Sequence, residues 1–207
     1  MNGEVDGIHP WLVEAEQAIH GDPTTVHAFF PAVGRKVGRE PLYPDTDPDG
    51  LIHGTVDDRG RARLLAVLAD VLTPFRLAQE VIDLYRYGDS AERSGVLRAL
   101  HLLPAGPGAG SIVENVRWIV EDALRTNDTR LVAAALGPFS ARHLPAGSWR
   151  HGVLKCLFLG VPIDAIAGLQ LRSDAELVRM VTDYAAERTS AGRAVPADAK
   201  RLLEAST

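Results

Sequence analysis

Apolar residues in this chain recur at helical spacing, and no stretch alternates polar with apolar over the length of a strand. That periodicity constrains the fold more than any other feature, because it predicts an all-α chain with no sheet. Pro10-Trp11 opens a first helix whose stripe is Trp11, Leu12, Ala15, Ala18 and Ile19, and Gly21 ends it. Asp22-Pro23 opens a second, carrying Val26, Phe29, Phe30 and Val33, since a proline at the first helical position forfeits no hydrogen bond. Between Gly38 and Thr55, Pro41, Pro44, Pro48, Gly50 and Gly54 forbid a long helix, so residues 38–56 read as a long loop. Loops of that length are usually functional or mobile.

Helices resume after Asp57. Arg61 to Leu72 presents Leu64, Leu65, Leu68 and Leu72; Thr73 caps and Pro74 starts the next helix, to about Tyr87. Asp89-Ser90-Ala91-Glu92 has capping-box spacing and opens a helix with Val96, Leu97, Leu100 and Leu103. After a break at Pro104–Gly110, Ser111-Ile112-Val113-Glu114 opens a helix to about Thr126, and Asp128 caps a shorter one through Leu136, stopped by Gly137-Pro138. Ser148 caps Trp149 to Leu159, Ser173-Asp174-Ala175-Glu176 caps a long helix ending near Gly192, and Pro196 starts a short last one. The units repeat loosely, roughly every 20 residues, as stacked helix pairs do. The expected architecture is a single helical domain over 1–207, an irregular α-α superhelix of antiparallel helix pairs resembling HEAT-type repeats. A compact orthogonal bundle is the other arrangement the pattern allows.

Composition narrows the function classes. The net charge of -5 argues against a nucleic-acid partner, which would call for a basic face. The single cysteine, Cys156, excludes an internal disulfide, and its apolar neighbours Leu154, Leu157 and Phe158 mark a buried, inert thiol. No apolar run approaches the roughly 20 residues of a membrane span. Met1 to Asp6 is acidic where a secretory signal would be basic, so a cytoplasmic location is expected.

Three places could carry chemistry. Asp45-Thr46-Asp47-Pro48-Asp49-Gly50 resembles the start of a calcium loop, with carboxylates at alternate positions before a glycine. The twelfth position, however, is Val56 rather than a bidentate glutamate, and the competing reading is a solvated acidic turn. Arg125-Thr126-Asn127-Asp128 lies at a helix junction, where Asn127 and Asp128 either cap helices or project into a groove. His151 and Lys155 lie four apart on one face of the Trp149 helix, as an ion-pair surface or a binding one. On the late helix, Asp183 and Glu187 share a face beside Tyr184 and Arg188; burial could divide acid and base roles between them, whereas exposure leaves only a charge pattern. The chain carries no glycine-rich phosphate loop, paired Cys/His zinc spacing or serine nucleophile elbow. No metal and no cofactor are therefore expected.

Several segments together resemble the EboA family of bacterial proteins. They are Gly34-Arg35-Lys36-Val37-Gly38-Arg39, Glu92-Arg93 through Leu103-Pro104, Arg125-Thr126-Asn127-Asp128, Trp149 through Phe158, and Glu176-Leu177 through Tyr184, Glu187-Arg188 and Ala191-Gly192-Arg193. The resemblance covers most of the chain, and its C-terminal run is the most specific part. It implies a helical protein encoded beside biosynthetic enzymes and linked to making or exporting a secondary metabolite. Gly137-Pro138-Phe139 departs from a family pattern of Asn-Pro-Tyr, and Ser173-Asp174 from Ala-Asn, which points to an altered ligand. The resulting expectation is a secondary-metabolite protein binding an anionic organic intermediate in an interhelical groove. Arg35, Arg39, Arg125, Asn127, His151, Lys155 and Arg188 are the expected ligand-binding residues. Asp128, Asp183, Tyr184 and Glu187 are the acid/base candidates, should the protein catalyse a cofactor-free isomerisation, cyclisation or elimination. The alternative is a non-catalytic scaffold docking a partner enzyme of the same pathway.

Overall fold

The computed structural model describes residues 8–103 and 109–205, with side chains from Ile112 onward in the second stretch. Among these residues lie twelve α-helices and no strand, so the chain is all-α. The first half holds α1 (Pro10–Gly21), α2 (Val26–Val37), α3 (Val56–Val71), α4 (Pro74–Tyr87), α5 (Ser90–Ala99) and α6 (Ala109–Arg125). The second half holds α7 (Thr129–Ala135), α8 (Pro138–His143), α9 (Ala146–Leu159), α10 (Leu169–Arg172), α11 (Ala175–Ser190) and α12 (Ala197–Glu204).

Local chemistry accounts for most of these boundaries. Asp89 and Glu92 close a reciprocal capping box on α5, with Glu92 N–H donating to Asp89 at 2.8 Å and Asp89 N–H to Glu92 at 3.3 Å. Asp128 accepts from Arg130 N–H and Leu131 N–H and so caps α7. Other ends differ from the sequence reading. The helix expected from Arg61 starts five residues earlier, because Thr55 N–H donates to Asp58 (3.2 Å) and opens the turn there. Asp22-Pro23 starts a 3₁₀ turn that leads into α2. Thr73 stands at the α4 N-cap without a side-chain cap bond, leaving Pro74 to set the start. Ser148 lies inside α9, which begins at Ala146 after Pro145; within the Ser173-Asp174-Ala175-Glu176 cap, Asp174 is the residue that accepts from Leu177 N–H. Pro138 both stops α7 and starts the unanticipated α8. The break expected around Pro104 and the capping box at Ser111 lie outside the described residues and side chains.

Each odd-numbered helix from α1 to α11 packs on the next odd one, while α4 packs on α6 and α12 on α11. The core runs along the stack through Phe30, Leu64, Leu68, Leu100, Leu136 and Trp149, all buried. Each contributes about 1.5–3 kcal/mol by leaving water. Among the described residues no helix is long and apolar enough to cross a membrane.

The 38–55 segment forms no helix, but it is tied down. Pro41 and Thr55 make an isolated antiparallel bridge, and Asp47 turns inward to accept from the backbone N–H groups of Leu51 (2.9 Å), Ile52 (3.0 Å) and His53 (2.7 Å). That use of Asp47 removes the middle carboxylate of the calcium-like pattern. Asp45 and Asp49 are left exposed, and among the described residues no three His, Cys, Asp or Glu side chains gather as a metal site would require.

Candidate functional site

Arg61 occupies the same helical stripe as Leu64, Leu65 and Leu68, so α3 carries a guanidinium into the core. It is fully buried, and its Nη1 donates to Asp57 at 2.6 Å. The second oxygen of Asp57 accepts from the Thr55 hydroxyl at 2.6 Å. Nε and Nη2 of Arg61 have no hydrogen-bond partner; the cation stands 5.6 Å above the Phe30 ring, which offsets part of that loss. Gly95 on α5 makes the room, since a Cβ there would come within 2.5 Å of Arg61 Cδ.

One residue further on, Asp58 meets Arg98 of α5. Nε of Arg98 lies 3.1 Å from the Asp58 carboxylate but off the N–H axis, so the contact is ionic rather than a hydrogen bond. Burial raises the Asp58 carboxyl above its ordinary range, against the opposing pull of Arg98. Burial likewise lowers Arg98. Arg98 also donates to the carbonyls of Gly50 (2.9 Å), Leu51 (3.0 Å) and Ile52 (3.3 Å), buckling the long loop to the helical stack. Gly54, at φ +84°, is required where the loop crosses this pair: a Cβ would sit 3.0 Å from Arg98 and 3.1 Å from Asp58.

Asp58 borders two spaces. One is a cavity of about 30 Å³ lined by Arg39, Thr55, Asp57, Ser94 and Arg130 among others. It lies where the first turns of α3, α5 and α7 meet. The other is a hollow of about 430 Å³ between the long loop, α3, α5 and α7. Reading the sequence alone passed over Asp57, Asp58, Arg61 and Arg98. The available signal was Arg61 itself, a charge in register with three leucines.

The expected ligand-binding residues divide. Arg125, His151 and Lys155 line a single groove of about 420 Å³ between α6 and α9, with Leu124 and Gly152 below them and Glu121 and Ser148 beside them. His151 Nδ1 donates to the Gly147 carbonyl at 2.8 Å, leaving Nε2 open. Arg39 borders the small cavity instead, Arg35 is exposed in the last turn of α2, and Asn127 is exposed before α7. Arg188 is spent on the Ala194 carbonyl at 2.9 and 3.1 Å.

The four acid/base candidates do not meet one another in a shared hollow. Asp128 is occupied capping α7 and accepting from the Ser90 hydroxyl. Asp183 is exposed and paired with Arg179 at 2.7 Å. Tyr184 is half-buried, its hydroxyl 3.4 Å from the Leu157 carbonyl, and Glu187 is exposed. None of the four borders the groove of Arg125 or the hollow at Asp58.

A family model described as "Metabolite traffic protein EboA" matches residues 7–204, nearly the whole chain. No curated protein and no solved structure matches. The match runs through every helix that builds the groove, the hollow and the buried charge pairs, and the chain belongs to the EboA family.

Proposed function

We propose that the protein holds a small organic anion in the α6–α9 groove as a metabolite-binding protein. The observation that carries this reading is the convergence of Arg125, His151 and Lys155 on one groove with an apolar floor. Among the described residues neither Arg125 nor Lys155 has a carboxylate partner, so both cations are available. A guanidinium offers two parallel N–H donors to a carboxylate or phosphate, and the ammonium adds a point charge. A carbonyl can only accept, so the bond to Gly147 puts a proton on His151 Nδ1 and a lone pair on Nε2 of the neutral ring. Leu124 contacts the apolar part of the ligand. The four acid/base candidates named above lie outside this groove, which supports holding over transformation. The description of the family as metabolite traffic proteins supports the same reading.

The test is retention of small molecules from a bacterial metabolite extract. Wild-type protein and an Arg125→Gln/Lys155→Gln variant are incubated with the extract and desalted. The released compounds are then read by negative-ion mass spectrometry. Anionic species kept by the wild type and lost by a folded variant are the expected result; identical retained sets would refute the reading.

A further inference from the structure

We propose that the 430 Å³ hollow beside Asp58 is a second, separate ligand site, taking an organic acid with an apolar body whose acid group is met by Arg59. It shares no lining residue with the α6–α9 groove, so it stands or falls independently of the reading above.

Its size lies within the range of small-molecule sites. The walls are largely apolar and come from distant parts of the chain: Leu42 and Ile52 from the long loop, Ala62 from α3, Ala133 and Ala134 from α7, and Pro138 from α8. Alanine at three of these positions keeps the space open where a leucine would fill it. The loop wall is organised before any ligand arrives. Arg98 holds three of its carbonyls and Asp47 three of its amides, so little ordering cost remains to be met on binding.

Charge accounting selects the ligand's sign. The charged and titratable groups bordering the hollow are His53, Asp58, Arg59, Arg98, His101 and Asp164. Asp58 is paired with Arg98, and Asp164 accepts twice from Arg201 at 3.0 Å, so both carboxylates are already compensated. Arg59 is exposed, and its guanidinium has no partner among the described residues. His101 hydrogen-bonds the Arg98 carbonyl through Nδ1 at 2.8 Å, which leaves Nε2 open. The uncompensated charge bordering the hollow is therefore positive, over an apolar interior.

The test uses two fluorescent probes of similar shape: 8-anilinonaphthalene-1-sulfonate, an aromatic sulfonate, and N-phenyl-1-naphthylamine, its uncharged counterpart. Titrations are run on the full chain as wild type, Arg59→Gln, Ala62→Leu, Lys155→Gln and Lys200→Gln, with far-UV circular dichroism as the folding control. Arg59→Gln should raise the sulfonate Kd about tenfold, the size of one lost charge-assisted hydrogen bond, and leave the neutral probe unchanged. Ala62→Leu should weaken both probes, and Lys200→Gln, at an exposed α12 lysine that lines neither space, should change neither. Arg59 is exposed, so its variant decides the matter even if the filled variant folds poorly. Wild-type affinity for the sulfonate in Arg59→Gln would overturn the proposal. So would loss of the sulfonate in Lys155→Gln alone, since it would place the probe in the α6–α9 groove.

Discussion

Replacing Asp57 with asparagine keeps the shape of the side chain and its ability to accept from Thr55, but strands the Arg61 cation in the core. Asp57 is 2% exposed and Arg61 0%, and their 2.6 Å contact is the only ion pair Arg61 makes among the described residues. Removing one member of such a buried pair costs about 3–5 kcal/mol, because the remaining charge keeps its desolvation penalty and loses its compensation. The Phe30 ring at 5.6 Å and the Ala91 carbonyl at 3.3 Å still face the guanidinium, which puts the expected loss toward the lower end. For a chain of this length that corresponds to a fall in Tm of roughly 6–20 °C. Urea denaturation followed by circular dichroism should show a lower midpoint at an unchanged m-value. The Asp57→Asn/Arg61→Met double variant removes both charges, so it should be less destabilised than the sum of the single changes. The reasoning is refuted if Asp57→Asn stays within about 0.5 kcal/mol of wild type, or if the two single effects simply add.

Three further outcomes follow from the same structure. Asp47→Ala strands three backbone amides at once; it should cost about 3 kcal/mol in urea denaturation and make the His53–Gly54 region susceptible to limited proteolysis. The Cys156 thiol, pushed up to about 12 by burial, should not react with a disulfide reagent at about pH 8 until the protein is unfolded. Burial and the Asp122 carboxylate 2.9 Å away raise the Tyr85 phenol well above its usual range. The unfolded chain therefore loses that proton first, and the stability Tyr85 contributes is fully present below about pH 10 and fades as pH climbs beyond it. The drop in urea midpoint between about pH 8 and about pH 10.5 should be smaller in Tyr85→Phe.

Much of the helical layout was legible because helix starts and stops are local events. Pro10, Pro74, Asp89 and Asp128 act on backbone groups within one turn of themselves, so their effect is written in neighbouring residues. The misplaced starts have the same explanation in reverse. Ser148 is an acceptable cap by composition, and Pro145 pre-empted it. The shift of α3 to Val56 was hidden because Asp57, Asp58 and Arg61 look like surface residues until α2 and α5 pack over them.

Convergence was where local reading ran out. Arg125 belongs to the end of α6 and His151 and Lys155 to α9, and only the packing of these two helices makes one groove of them. Asp183 and Glu187 share a helix face, as their spacing demands, but nothing in that spacing states whether the face meets a neighbour or water; α11 turns it outward. The sequence by itself determined the helices and their stripes, since hydrophobic periodicity and capping depend on residues a few positions apart. The tertiary structure alone decided which charges were buried and which were left to face a ligand, because burial, and pairs such as Asp58–Arg98, depend on groups tens of residues distant.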